Sequence, residues 1–190
     1  RRMNRIDQVE SDGTVIAEAG AILEHLHEAV ARAGRRFPLT LGGKGSATIG
    51  GLISTNAGGT QVLRHGTMRA LVAGIEAVLP DGSIYDGMAM LKKDNRGFDI
   101  KNLLIGAEGT IGVVTRARLY TVPALIDRSV IWAGVNSAYA AHDLLLYMQK
   151  EAGAALEGFE ILPQAALDHV VQHIPGSRAP LSQAYPWHAL

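Results

Sequence analysis

The chain has 190 residues, enough for one full domain or one domain with part of a second, and 47% of them are apolar. Its 18 Lys and Arg balance 18 Asp and Glu, so no basic field draws it to nucleic acid or to an anionic membrane surface. The absence of cysteine excludes disulfides, thiolate nucleophiles and cysteine-held metals, and no apolar run nears the roughly eighteen residues that a membrane helix needs.

The first residues lack the charged-then-apolar layout of a signal peptide, and a chain without cysteine defaults to a reducing compartment, so the expected location is cytoplasmic. Arg1 to Glu10 begins without a methionine or a capping signal. At the other end AYPWHAL stops where a strand is about to form, and the expectation is a piece of a longer protein.

Thr14 to Glu18 alternates as a strand does, and Ile22, Leu26, Ala29, Val30 and Ala33 repeat at helical spacing, so a helix is predicted over Ala21–Ala33 with Gly34 ending it. Leu71 to Leu79 is β-branched and apolar, and Pro80-Asp81-Gly82 followed by Ser83 to Tyr85 predicts a β-hairpin. Asp99 is placed to cap a short helix through Ile105. The cluster Gly106 to Gly112 then runs into a strand over Val113–Leu119.

Near Pro123 the character of the chain changes, and a boundary is expected at about Ala124. Beyond it the pattern predicts a strand over Val130–Val135, a helix through Asp143, Leu146, Tyr147 and Lys150, a strand over Phe159–Leu162, a helix over Gln164–Ile174, and a break at Pro175-Gly176. Interleaved strands and helices that include hairpins fit an α+β fold better than a doubly wound parallel sheet.

Gly42 to Thr60 reads GGKGSATIGGLISTNAGGT, rich in glycine and hydroxyls and free of carboxylates. Glycine marks backbone that must take a positive φ or admit a close neighbour, and bare amides beside hydroxyls suit an anion such as a phosphate. A pair of tight turns is the alternative. Neither glycine cluster fits G-x-G-x-x-G or the P-loop, so the dinucleotide-binding Rossmann and nucleoside-triphosphatase readings fail on spacing.

Three stretches in one order, TIGGLISTNAGG, LRHGTMRALVAGIEAVLPDG and KKDNRGFDIKNLLIGAEGTIGVVT, resemble the flavin-binding domain of FAD-linked oxidases of the vanillyl-alcohol oxidase type. Within that family the likeness is to the D-2-hydroxyacid branch: D-lactate, glycolate and D-2-hydroxyglutarate dehydrogenases. It covers about Arg1 to Pro123. The implied fold is the second subdomain of the FAD-binding type 2 domain, a mixed and largely antiparallel sheet flanked by helices, with residues 124–190 beginning a truncated α+β cap domain over the substrate.

By that resemblance Gly45, Ser46, Thr48, Ile49, Gly50 and Gly51 line the pyrophosphate and ribityl part of FAD, and Asn56, Ala57 and Gly58 approach the flavin. Glu108, Gly109, Gly112, Val113 and Val114 wrap the adenosine, with Glu108 suited to a ribose hydroxyl or a backbone donor rather than to phosphate. Lys93, Asp94 and Asn95 resemble a segment near the flavin, or cap a turn. Arg64 and His65 fall beside the isoalloxazine in the family's geometry, or form an exposed loop pair.

The resemblance implies an FAD-dependent oxidation of a D-2-hydroxy acid, with a separate electron acceptor; the charge balance and short apolar runs predict no nucleic acid and no membrane span, and the exposed strand edges of an excised piece predict a homo-oligomer. The first flavin subdomain and the family's metal-binding histidines fall outside these residues. No catalytic residue and no metal ligand is therefore assigned, and FAD is expected in the full-length protein but weakly held, or not held, by this stretch. A phosphate-binding or interaction module without catalysis, and another flavin oxidase or reductase on the same scaffold, stay open. Among the histidines, His25 and His27 point to different helix faces, and His169 and His173 have the i, i+4 spacing of a zinc pair without its glutamate, which reads as a solvated face.

Overall fold

The computed structural model describes residues 2–91, 93–95 and 97–190, which divide into two compact units, Arg1–Ile126 and Asp127–Leu190. In the first unit the order is β1 (Thr14–Glu18), α1 (Leu23–Ala31), β2 (Arg35–Arg36), α2 (Ile49–Ser54), α3 (Val62–His65), α4 (Met68–Leu71), β3 (Val72–Val78), β4 (Ile84–Gly87), α5 (Ile100–Leu104), β5 (Val113–Tyr120) and β6 (Val122–Pro123). The second unit carries β7 (Ala133–Val135), α6 (Ala138–Ala152), β8 (Ile161–Pro163), α7 (Gln164–His173) and β9 (Trp187–Ala189).

The main sheet of the first unit runs β1, β5, β3, β4, and β2 pairs separately with β6. Every described pairing is antiparallel, so the sheet is α+β as expected but not mixed. Alternation explains which face is inside: Val15 and Ala17 of β1 and Ala117 and Leu119 of β5 are wholly buried, while Ile16, Arg116 and Arg118 face outward. Helix α1 lays Leu23, Leu26 and Val30 on that core. Each such side chain contributes about 1.5–3 kcal/mol by leaving water.

Helix α1 is shorter than its periodicity because its two expected first residues are spoken for. Ile22 bridges Thr48, and the Ala21 carbonyl accepts from the Ile49 amide at 2.9 Å, which holds both extended. Gly34 turns the chain with φ +68°. A strap over residues 3–7 runs beside β1, with the Asp7 amide on Ile16 and the Glu18 and Gly20 amides on Arg5 and Met3. It covers the free edge of β1. Among the described residues no strand pairs with the outer edge of β4.

A bulge in β5 leaves Thr115 opposite no partner, between the pairs Glu76↔Arg116 and Ala77↔Val114. Its hydroxyl turns onto Glu76 Oε1 at 2.7 Å, and Arg116 closes on Glu76 Oε2 at 2.7 Å. The Thr115 hydroxyl, then the Arg116 guanidinium, hold the Glu76 carboxyl below the usual carboxylate range.

In the second unit β9 is the central strand, between β7 and β8. The strand expected over Val130–Val135 shrinks to Ala133–Val135 because its partner spans only Trp187–Ala189, and Val130 and Ile131 stay exposed. Ser137 starts α6 by accepting from the Ala140 amide at 3.0 Å, and Gly153, at φ +51°, ends it. Among the described residues no helix is long and apolar enough to cross a membrane.

Candidate functional site

The two glycine-rich stretches meet on one short helix. Residues 42–46 form an exposed turn leading into α2, whose buried face is Ile49, Leu52 and Ile53 and whose outer face carries nothing larger than Thr55. At the far end of α2 the Gly106 amide donates to the Ile53 carbonyl and the Glu108 amide to the Ser54 carbonyl, both at 3.0 Å. Six residues at about 1.5 Å each separate the two loops by about 9 Å along the axis. One continuous surface of glycine and small hydroxyl residues results.

The glycine-rich stretch does not present all its amides, and this corrects the bare-donor reading. The Ser46 and Ala47 amides donate to the Gly43 carbonyl, Ile49 to Ala21, Gly50 to Ala19 at 2.7 Å, and Gly51 to the Thr48 hydroxyl at 3.2 Å. The first turn of α2 is thus satisfied from within, by the neighbouring chain and by the Thr48 cap. Among the described residues of 42–51 the amides left without an internal acceptor are those of Gly42, Gly43, Gly45 and Thr48.

Side-chain placement separates the expected residues further. Ile49 and Val114 are buried in the core, so they offer only backbone to a ligand. Gly50 is small for packing, since a Cβ there would lie 2.7 Å from the Ala19 Cβ. Gly45, Ser46, Gly51, Gly58, Glu108, Gly109 and Val113 are exposed, and Gly112 sits where a Cβ would meet Leu104 at 2.8 Å. Val113 lies in register with Val78, which pairs in turn with Ile84, an exposed apolar row across three strands.

Asn56, Ala57 and Gly58 form the turn after α2. Asn56 takes φ +47°, and its side-chain oxygen accepts from the Arg69 amide at 2.9 Å. Ala57 receives the Met68 amide on its carbonyl at 2.8 Å, and a Cβ on Gly58 would press on Val62 at 2.8 Å. Among the described residues Glu108 is the other non-glycine with positive φ, at +50°, followed by Gly109 at +78°. Both αL residues therefore border the joint between the loops, where stored backbone strain commonly accompanies function.

Arg69 was not legible as part of this joint. Its guanidinium donates to the carbonyl of Asn102 and, at 2.6 Å, to that of Ile105, while Asp99 caps the start of α5 by accepting from the Asn102 amide at 2.9 Å. Arg64 and His65 end α3, with His65 Nε2 3.5 Å from Arg36 Nη2. Lys93, Asp94 and Asn95 are exposed, and Lys92 and Arg96 of the same stretch lie outside the described residues. Among the described residues no three metal-ligating side chains gather, and His169 and His173 instead stack their rings at 5.9 Å.

Residues 1–87 match the family model described as an FAD binding domain. The chain is 38% identical over 181 residues to the mitochondrial D-2-hydroxyglutarate dehydrogenase of Arabidopsis thaliana, covering 95% of this chain and 32% of that protein. It is 36% identical to the mitochondrial D-2-hydroxyglutarate dehydrogenase of Bos taurus, covering 94% of this chain and 32% of that protein. A third relative is the D-2-hydroxyglutarate–pyruvate transhydrogenase of Saccharomyces cerevisiae, 31% identical over all of this chain and 38% of its own length. The chain thus spans about a third of the length of these curated relatives.

Among solved structures, alkyldihydroxyacetonephosphate synthase superposes with a TM-score of 0.72 over all of this chain and 37% of its own, at 17% identity, a likeness that speaks for the fold alone. The relatives' names also correct the expected location. Two of the three carry "mitochondrial" in their names, which points to mitochondria and overturns the cytoplasmic expectation. Cysteine usage and the lack of a membrane-length apolar run do not separate these two compartments.

The residues fit the family's cofactor in part. The open amides at Gly42, Gly43, Gly45 and Thr48 and the small outer face of α2 admit a phosphate-bearing group closely, and the Ile84, Val78 and Val113 row offers apolar cover to a base. The inward-turned amides of Ile49, Gly50 and Gly51 hold the scaffold instead.

Proposed function

We propose that this chain is part of a flavoprotein that oxidises a D-2-hydroxy acid to a 2-oxo acid. The observation that carries the reading is the docking of Gly106 and Glu108 on the end of α2, which sets both glycine loops on one surface. The substrate class follows the relatives named D-2-hydroxyglutarate dehydrogenase. When bound, FAD supplies a two-electron acceptor for the hydride on the α-carbon of the acid. The chain's share is binding and orientation: Gly45, Ser46 and Thr48 at the pyrophosphate with Gly51 giving room beside them, Asn56 to Gly58 toward the flavin, and Glu108, Gly109, Gly112 and the backbone of Val113 and Val114 about the adenosine.

In this reading residues 1–123 are the C-terminal part of the FAD-binding domain and residues 124–190 begin a substrate-covering domain. A separate electron acceptor completes the cycle. A second copy of the chain is the expected protein partner, supported by the uncovered edge of β4.

Reconstitution of the full-length protein with FAD tests the proposal. A yellow holoprotein bleached anaerobically by a D-2-hydroxy acid, and far more slowly by its L enantiomer, is expected. No bound flavin, or no bleaching by any D-2-hydroxy acid, would overturn it.

A further inference from the structure

A helix that continued past Leu104 would give the Gly106 amide to the Asn102 carbonyl, its partner four residues back. That bond is not made. The Gly106 amide goes to Ile53 instead, and the vacated Asn102 carbonyl is taken by the Arg69 guanidinium, which also holds the Ile105 carbonyl at 2.6 Å. Gly106 itself takes φ +86°, far from helical backbone. Arg69 is held in turn from its own main chain, where its amide meets the Asn56 side chain at 2.9 Å. The last carbonyls of a helix must find donors, and a guanidinium supplies two in a fixed fork.

We propose that Arg69 is a positioning residue for the adenosine-side loop: by satisfying Asn102 and Ile105 it stops α5 from running on, and so frees Gly106 and Glu108 to dock on α2. Without it, Asn102 reclaims Gly106 by extending α5, and the loop over Gly106–Gly109 leaves the common surface. Arg69 touches no reacting atom in this account and acts through the loop alone. The effect on a ligand rests on the FAD reading above; the effect on the loop does not.

The test uses the full-length protein with Arg69→Met, Arg69→Lys and, as a control in the second unit, Lys150→Met. Hydrogen exchange is followed without added FAD in peptides covering residues 103–111, and FAD affinity by quenching of flavin fluorescence. Arg69→Met is expected to lose exchange protection at Glu108, whose bond to Ser54 is given up, while Gly106 stays protected within the longer α5, and to weaken FAD on the order of tenfold, the scale of one lost charge-assisted hydrogen bond. Arg69→Lys, which still donates to one carbonyl, is expected to recover part of both and serves where the Met variant folds poorly. Unchanged protection at Glu108 in Arg69→Met overturns the proposal, as does its loss with FAD affinity within twofold of wild type. A wild-type protein that binds no FAD overturns the flavin reading, and the exchange result then decides the loop claim by itself.

Discussion

Trp132 Nε1 lies 3.0 Å from His188 Nδ1, and because an indole can only donate, the bond fixes the tautomer of a histidine that is 1% exposed. The proton therefore sits on Nε2, which donates to Gln164 Oε1 at 2.8 Å, and the Gln164 amide nitrogen donates to Asp168 at 2.8 Å. Three elements of the second unit, the approach to β7, β9 and α7, are joined through one imidazole.

Replacing Trp132 by Phe keeps an aromatic ring beside β9 but leaves Nδ1 of His188 buried without a donor. A loss of about 1–3 kcal/mol is expected, read from chemical unfolding followed in the second unit. Ring-nitrogen chemical shifts of His188 should report the Nε2-protonated form in the wild type. An Nδ1-protonated ring, or full stability in Trp132→Phe, would contradict the arrangement.

Gly50 and Gly42 separate packing from openness within a single glycine-rich stretch. A methyl at Gly50 would press on Ala19 from 2.7 Å, whereas one at Gly42 meets nothing within 4 Å. Gly50→Ala should therefore destabilise the apoprotein by about 1–3 kcal/mol, and Gly42→Ala should leave its melting temperature unchanged or slightly raised. Thermal unfolding without FAD distinguishes them.

Asn56 combines an αL backbone with an acceptor for the Arg69 amide. Asn56→Gly removes the acceptor alone; Asn56→Ala removes it and adds the cost of positive φ, about 1–2 kcal/mol. Both variants should be less stable than wild type, the alanine more so. Equal stability of the two would mean that the backbone relaxes out of αL.

Acid sensitivity should come in two windows. Burial depresses the His27 imidazole below its usual value, although its Nε2 bond to the Leu39 carbonyl at 2.9 Å pulls the other way. The unfolded chain then binds the proton first, so stability is full above the ordinary imidazole range and falls as pH drops through the folded value. His27→Gln should flatten that limb. Glu76, also depressed, gives the same sign at lower pH: its contribution is present above the ordinary carboxylate range and is lost as pH falls through the folded value. Glu76→Gln should flatten the lower limb and leave the upper one, as seen in denaturant midpoints measured across pH.

Where local chemistry decided the structure, the sequence was readable. Pro80-Asp81-Gly82 turns β3 into β4, with Asp81 accepting from the Ser83 amide and hydroxyl, and Asp99 caps α5 as its spacing implied. Helix α2 was not readable, because IGGLIS pairs two weak helix formers and stands by burying Ile49, Leu52 and Ile53 rather than by propensity. The four-residue helices α3 and α4 carry no full period to detect. In the candidate site the motif order pointed to two loops that share the end of α2. It could not reveal that Ile49 and Gly50 spend their amides on Ala21 and Ala19, or that Arg69 reaches 33 residues along the chain to Asn102, since both depend on tertiary contacts.

The strap of residues 3–7 beside β1 has a consequence for assembly. With that margin occupied, the border that β4 presents is, among the described strands, the one left without a partner strand. Two molecules meeting there about a twofold axis would each cover the other's β4, so an association of this kind closes as a pair.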